Sequence, residues 1–255
     1  MPQVYVATNA FGPEMVMDRG QLYCLEWIAG SGAAGIELRR ELFCDEELSR
    51  IGEWGAPMKR HGLTLVYSAP VQLWAEDGTL NADELSLIFE EAAALDAAMI
   101  KTSLGHFQPK SDLGELEDFL KRTGENGKLP VLTVENDQTD WGGKLAPLER
   151  FFNQCDICRI PVKMTFDIAN WHWVLEDPNR AAVKLAGHVA YIHVKQSVRS
   201  ENGNITVPIK ESADAEWRKI LALLPGDVPR GIEFPIRGRE LAELTRKYVQ
   251  LLSNS

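Results

Sequence analysis

The chain has 255 residues, and 27 Lys and Arg against 37 Asp and Glu leave a formal net charge of −10. That balance argues against nucleic acid as a partner, because phosphate recognition needs a basic footprint. No apolar run approaches the roughly 18 residues of a membrane span, the start shows no signal-peptide pattern, and four cysteines make no disulfide framework. A reducing cytoplasm is therefore the expected location, without membrane contact.

Strand and helix patterns alternate from end to end. A first strand is expected over Val4–Phe11 and a helix over Gln21–Ala29. Gly35–Arg40 reads as a second strand, followed by a helix from Asp45 to about His61 with three acidic residues in its first turn, where they suit the helix dipole. Leu63–Ser68 is a third strand, and Asn81 caps a helix running to Leu95. Ala98–Ser103, Leu113–Arg122, Pro130–Glu135 and Leu145–Gln154 continue the alternation. Val162–Asp167, Asn179–Leu185, Val189–Lys195 and Ala213–Leu224 extend it, and Gly231–Phe234 and Gly238–Leu252 close it. That makes eight β/α units of about 32 residues, the length such a unit requires. The strands are short apolar runs with little alternation, as in a parallel sheet covered on both faces. No linker interrupts the chain, and no G-x-G-x-x-G follows an early strand to suggest a doubly wound sheet. The expectation is an α/β protein, a single (β/α)8 TIM barrel over residues 1–255.

Barrel chemistry sits at the C-terminal ends of the strands, so polar residues there are informative. Strand two contains Glu37 and strand four Lys101. The last four strands carry Glu135, Asp167, His193 and Glu233, each after an apolar run where an unpaired charge would be costly. Three carboxylates meeting at one point repel one another, and a divalent cation resolves the conflict. Three carboxylates and one imidazole suit Mn, Co, Mg or Zn without selecting sharply among them.

The segments Gly35-Ile36-Glu37-Leu38-Arg39, Val134-Glu135-Asn136, Phe166-Asp167, Ile192-His193-Val194-Lys195 and Gly231-Ile232-Glu233 resemble, in order and position, the xylose isomerase-like TIM barrels. That superfamily includes sugar phosphate isomerases and epimerases, dehydratases and family 2 AP endonucleases. The resemblance covers nearly the whole chain. It implies that Glu135, Asp167, His193 and Glu233 bind one metal ion. It also implies that Glu135 and Glu233 are the catalytic acid/base pair. Lys195 and Arg199, the latter six positions after the metal histidine, are implied substrate contacts. The sequence departs from the ketose 3-epimerase pattern at two points. Asn170 stands where a substrate-binding His is common, with His172 two positions on, and Gln196 stands where Asp is common. The implied activity is a metal-dependent sugar isomerase or epimerase, moving a proton through a metal-bound enediolate of a small keto-sugar. A keto-polyol dehydratase and a non-catalytic sugar- or protein-binding barrel are the alternatives. An endonuclease would need more histidines than five and a basic groove. The resemblance makes a homodimer or homotetramer plausible.

Other residues have two readings. Lys101 either meets an anionic group of the substrate or pairs with a barrel carboxylate such as Glu37. Asn170, His172 and the tryptophans beside it either line the pocket or pack the rim. Tyr67 and Ser68 likewise either line the pocket or pack the rim. Arg237 and Arg239 either bind phosphate or form a solvated helix face, with the second favoured. Cys155 and Cys158 are a lone C-x-x-C, read as structural. The segment Ser197–Lys210 reads as a long polar loop, either a lid or solvent-facing.

Overall fold

The computed structural model describes every residue except Asn126, Lys128 and Asn202. Eight parallel strands close into a barrel. They are β1 (Val4–Ala7), β2 (Gly35–Arg39), β3 (Thr64–Trp74), β4 (Met99–Gly105), β5 (Val131–Glu135), β6 (Lys163–Asp167), β7 (Val189–Val194) and β10 (Arg230–Ile232). Two further strands, β8 (Gln196–Ser200) and β9 (Gly203–Val207), form an antiparallel hairpin between β7 and β10. The strand order β1-β2-β3-β4-β5-β6-β7-β10 returns to β1, so the barrel has no free edge. Among the described residues, no helix is long and apolar enough to cross a membrane.

Side-chain alternation along the strands separates two cores. Outward residues such as Leu65, Ile100, Leu132, Phe166 and Ile192 join the helices in one large apolar cluster. Inside the barrel, Tyr5, Val66, Met99 and Tyr191 form a second, smaller cluster. The two tyrosine rings lie 5.7 Å apart, and glycines on neighbouring strands make room for them. A Cβ on Gly35 would sit 2.5 Å from the Tyr5 ring, and one on Gly231 would sit 2.2 Å from Tyr191 Oη. These are side chains packed into a barrel, not lining a pore.

Several local expectations need correction. The first strand stops at Ala7, and Thr8–Phe11 is a 3-10 turn. An unexpected helix, α1 (Pro13–Arg19), follows, with Pro13 preset for the first helical turn. The segment Asp45–His61 is not one helix. It breaks into α3 (Asp45–Ser49), a 3-10 turn and α4 (Gly55–Arg60), with Gly52, Gly55 and Pro57 along the way. Gly55 packs so closely on Leu95 that a Cβ would fall 2.3 Å from its carbonyl oxygen. The third strand runs on past Ser68 to Trp74 after a register shift against β4. Asn81 precedes α5 (Ala82–Ala94) without a side-chain cap bond, its amide donating instead to the Gln72 carbonyl. The polar loop over Ser197–Lys210 contains the hairpin, in which Val198 faces Ile205.

Candidate metal centre

Glu135 and Asp167 are the last residues of β5 and β6, His193 lies near the end of β7, and Glu233 follows β10 by one residue. In-register pairing puts Asp167 beside His193 and His193 beside Gly231. One ligand atom from each of Glu135, Asp167, His193 and Glu233 lies within 4.8 Å of the others, and all four residues are buried. His193 Nδ1 is 2.6 Å from Glu135, 3.2 Å from Glu233 and 4.0 Å from Asp167. Three carboxylates and one imidazole nitrogen, with no thiolate, form a donor set suited to one divalent metal ion. The residues present fit such an ion.

Three cations stand among these carboxylates. Lys195 Nζ is 3.3 Å from Asp167 and 3.1 Å from Glu233, and Lys101 is paired with Glu135. Arg39 Nη1 is 2.5 Å from Glu233 and 3.1 Å from Glu37, while its Nε donates to Glu41. Burial tends to protonate each carboxylate, and the neighbours decide the outcome. Burial raises Asp167 to about 6, against the pull of Lys195. For Glu135 the same burial is outweighed by Lys101 and His193, which bring it down to about 2. Glu233 also lies well below the usual range, because Lys195, His193 and Arg39 outweigh its burial. Burial opposes protonation of His193, yet Glu37, Glu233 and Glu135 raise its pKa well above the ordinary value.

The residues expected to meet a substrate divide into three groups. Lys195 and Asn170 line a cavity of about 250 Å³ at the mouth, together with Arg39, Glu135, Asp137, Gln138 and Glu233. Asn170 accepts from Lys195 at 3.2 Å and from Gln138 at 3.0 Å. Lys101 lies deeper, and its direct partner is Glu135 rather than Glu37. The structure does not bring His172 or Arg199 to the cavity wall. His172 Nε2 is 3.2 Å from Glu216, and its carbonyl accepts from Asn204 of the hairpin. Arg199 is exposed on β8. Two larger hollows, of about 430 and 560 Å³, lie on the outer helix layer and contain none of these groups.

Four residues belong to the site without a role having been read for them. Glu37 is fully buried, 2.7 Å from His193 Nε2. Tyr191 Oη donates to the same Glu37 oxygen at 2.9 Å. Arg39 lines the mouth, its backbone held on both sides by the Gln21 side chain. Asn136 ties two strand ends together, donating to the Asp167 carbonyl at 3.0 Å and accepting from the Asp167 amide at 2.8 Å. Period-2 spacing held the signal: Glu37 and Arg39 share one face of β2, as Tyr191 and His193 share one face of β7. Tyr67 points the other way, and its hydroxyl donates to Glu91 of α5 at 2.6 Å.

Solved structures share this architecture. A probable 3-DHS dehydratase involved in petrobactin synthesis, from Bacillus anthracis, superposes with a TM-score of 0.68 over 99% of each chain at 14% identity. A xylose isomerase domain protein from Planctomyces limnophilus shares the fold, with a TM-score of 0.65 over 99% of this chain and 96% of its own at 15% identity. The 3-keto-D-glucoside 4-epimerase of E. coli matches over 100% of both chains, with a TM-score of 0.63 and 18% identity. A D-psicose 3-epimerase matches with a TM-score of 0.63 over 99% of this chain and 98% of its own, at 15% identity. At these identities the likeness is one of fold. No protein-family model and no curated protein sequence matches the chain.

Proposed function

We propose that the protein is a metal-dependent isomerase or epimerase of a small keto-sugar or sugar derivative. The observation that carries this reading is the convergence of Glu135, Asp167, His193 and Glu233 at the mouth of a xylose isomerase-like barrel. A divalent cation held by these four would supply Lewis acidity toward a carbonyl oxygen and its neighbouring hydroxyl. Glu135 and Glu233 then serve as the base and acid that move a proton at the adjacent carbon. Such assistance contributes about 10²–10⁴-fold in rate. Lys195 and Asn170 present a donor and an amide on the cavity wall, where sugar hydroxyls would bind.

Dehydration begins with the same proton abstraction, and the similar structures include both a probable dehydratase and two epimerases. The product distinguishes the two outcomes. The test is elemental analysis of the wild type beside a Glu135→Gln, Glu233→Gln double variant, followed by incubation of the metal-loaded enzyme with keto-sugars in D₂O. About one equivalent of metal, lost or weakened in the variant, with deuterium entering an unchanged or isomeric sugar, is the expected result. Loss of water from the product would favour the dehydratase. Absence of metal uptake by the wild type would refute the catalytic reading and leave a binding barrel.

A further inference from the structure

We propose that Glu37 is a positioning residue that fixes His193 in the tautomer presenting Nδ1 to the metal, with Tyr191 holding Glu37 in place. The inference rests on the metal centre proposed above. It goes further by giving a role to buried groups outside the four ligands.

Glu37 is a fully buried carboxylate, and both its oxygens are engaged. Its Oε2 faces His193 Nε2 at 2.7 Å and accepts from Tyr191 Oη at 2.9 Å, while its Oε1 accepts from Arg39 Nη1 at 3.1 Å. An ionised carboxylate only accepts hydrogen bonds, so His193 Nε2 must carry a hydrogen. Nδ1 faces Glu135 at 2.6 Å in the same way, so a metal binding among the three carboxylates would displace the Nδ1 proton, while Glu37 keeps the one on Nε2. Nδ1 is the nitrogen directed at Glu135, Glu233 and Asp167. The arrangement thus aims the lone pair left by that proton at the place where three carboxylates converge. Metal-ligating histidines commonly have such a partner on the far nitrogen, and its loss typically costs ten- to a hundredfold in affinity.

The space for this relay is also built in. Tyr191 and His193 project from the same face of β7, with ring centroids 4.9 Å apart. Gly231, directly opposite His193 in the strand pairing, leaves the gap they occupy. A Cβ there would lie 2.2 Å from Tyr191 Oη and 3.0 Å from His193 Cδ2. Glu37 arrives from β2, across the closed barrel, so the contact joins residues 156 positions apart.

The test compares wild type, Glu37→Leu, Glu37→Gln and Tyr191→Phe. Manganese affinity is measured by calorimetry, and the ligating nitrogen of His193 is read by ¹⁵N NMR of the zinc-loaded protein. Wild type should show zinc on Nδ1 and a proton on Nε2. Glu37→Leu, which removes the acceptor, should lose about ten- to a hundredfold in affinity. Its His193 should show both nitrogens exchanging between metal and proton. Glu37→Gln keeps an acceptor and should restore the Nδ1 signature with a smaller loss. Tyr191→Phe should lose affinity by a few-fold. If Glu37→Leu does not fold, Glu37→Gln and Tyr191→Phe still decide the matter: affinities and nitrogen signatures unchanged in both would refute the proposal. So would zinc bound through Nε2 in the wild type. A wild type that binds no divalent metal would remove the metal centre and this inference together. A wild type that binds metal while every folded variant binds it equally well would remove the inference alone.

Discussion

Metal loading should raise the melting temperature by an amount that the architecture sets. The four candidate ligands sit on four different segments, spread from residue 135 to residue 233. Only the closed barrel brings them together, so the unfolded chain has no comparable site and binding energy appears as folding energy. At free metal about a hundredfold above its dissociation constant, the gain is about 2.7 kcal/mol. For a chain of 255 residues, each kcal/mol moves the midpoint by roughly 2–4 °C. The expected rise is therefore about 5–11 °C. The assay is a melt in chelator and again with manganese, at a concentration set from a calorimetric titration. An Asp167→Asn, Glu233→Gln double variant, which removes two ligand charges, should lose the rise. A wild type unmoved by saturating Mn, Co, Mg or Zn would refute the reasoning. So would an equal rise in the double variant, since it would place the ion elsewhere.

Gly231→Ala should destabilise the fold by about 1–3 kcal/mol through overpacking and weaken metal binding, because the new methyl would push on Tyr191 and His193; a variant as stable as wild type in urea would show that the barrel interior yields. Tyr67→Phe removes a 2.6 Å hydrogen bond to the Glu91 carboxylate and should cost about 1.5–3 kcal/mol, measured as a shift in urea midpoint at unchanged slope. Burial lowers the pKa of His188, against the opposing charge of Asp156. The unfolded chain therefore takes up the proton first as pH falls below about 6.5. Stability should decline from there until the folded-state pKa is passed, then level off with respect to this group. His188→Gln should flatten that part of the stability profile, and an unchanged profile would assign the slope to other groups. Lys195→Met should weaken the metal-free fold while leaving metal affinity equal or higher, and should reduce turnover. A parallel loss of metal affinity would show that the lysine organises the ligands instead of competing with an ion for them.

The barrel was legible because a closed parallel sheet imposes a regular rhythm. Runs such as Met164–Asp167 and Tyr191–Val194 are buried on both faces, so the carboxylate or imidazole in each stands out. The four-residue cluster follows from that contrast, and geometry brings all four together. The supports were harder to read. Glu37 and Tyr191 lie 154 positions apart, and nothing local indicates that strand closure makes them bond. Lys101 has three carboxylates within its electrostatic reach, Glu135, Glu37 and Glu233, and its hydrogen bond goes to Glu135 on the neighbouring strand. His172 shows the opposite relation between sequence and position. It follows a site strand closely in sequence, but the 3-10 turn Asn170–His172 directs its ring toward Glu216 of α9 (Glu216–Leu221). The break between Asp45 and His61 is hidden because the acidic first turn reads as the start of a long helix, while Gly55, one of the residues that interrupt it, serves close packing on Leu95.

Charge explains why lysine and arginine occupy the mouth at all. Glu37, Glu135, Asp167 and Glu233 place four carboxylates in a dry space. One divalent ion would offset two of those charges, and like charges left unpaired in the interior are costly. Lys101, Lys195 and Arg39 offset the other two, each directly against a carboxylate of the cluster, and Arg39 also pairs with Glu41. Their surroundings differ. Lys101 is deep and bound to Glu135, and Arg39 is tethered by Glu37, Glu41 and Gln21. The Lys195 ammonium also has uncharged side chains beside it, Asn170 at 3.2 Å and the Trp173 face at 5.9 Å. An ion that engaged Asp167 and Glu233 would therefore release Lys195 toward the cavity with contacts already waiting. Lys195 and Arg39 both line that cavity, while Lys101 stays beneath it with Glu135.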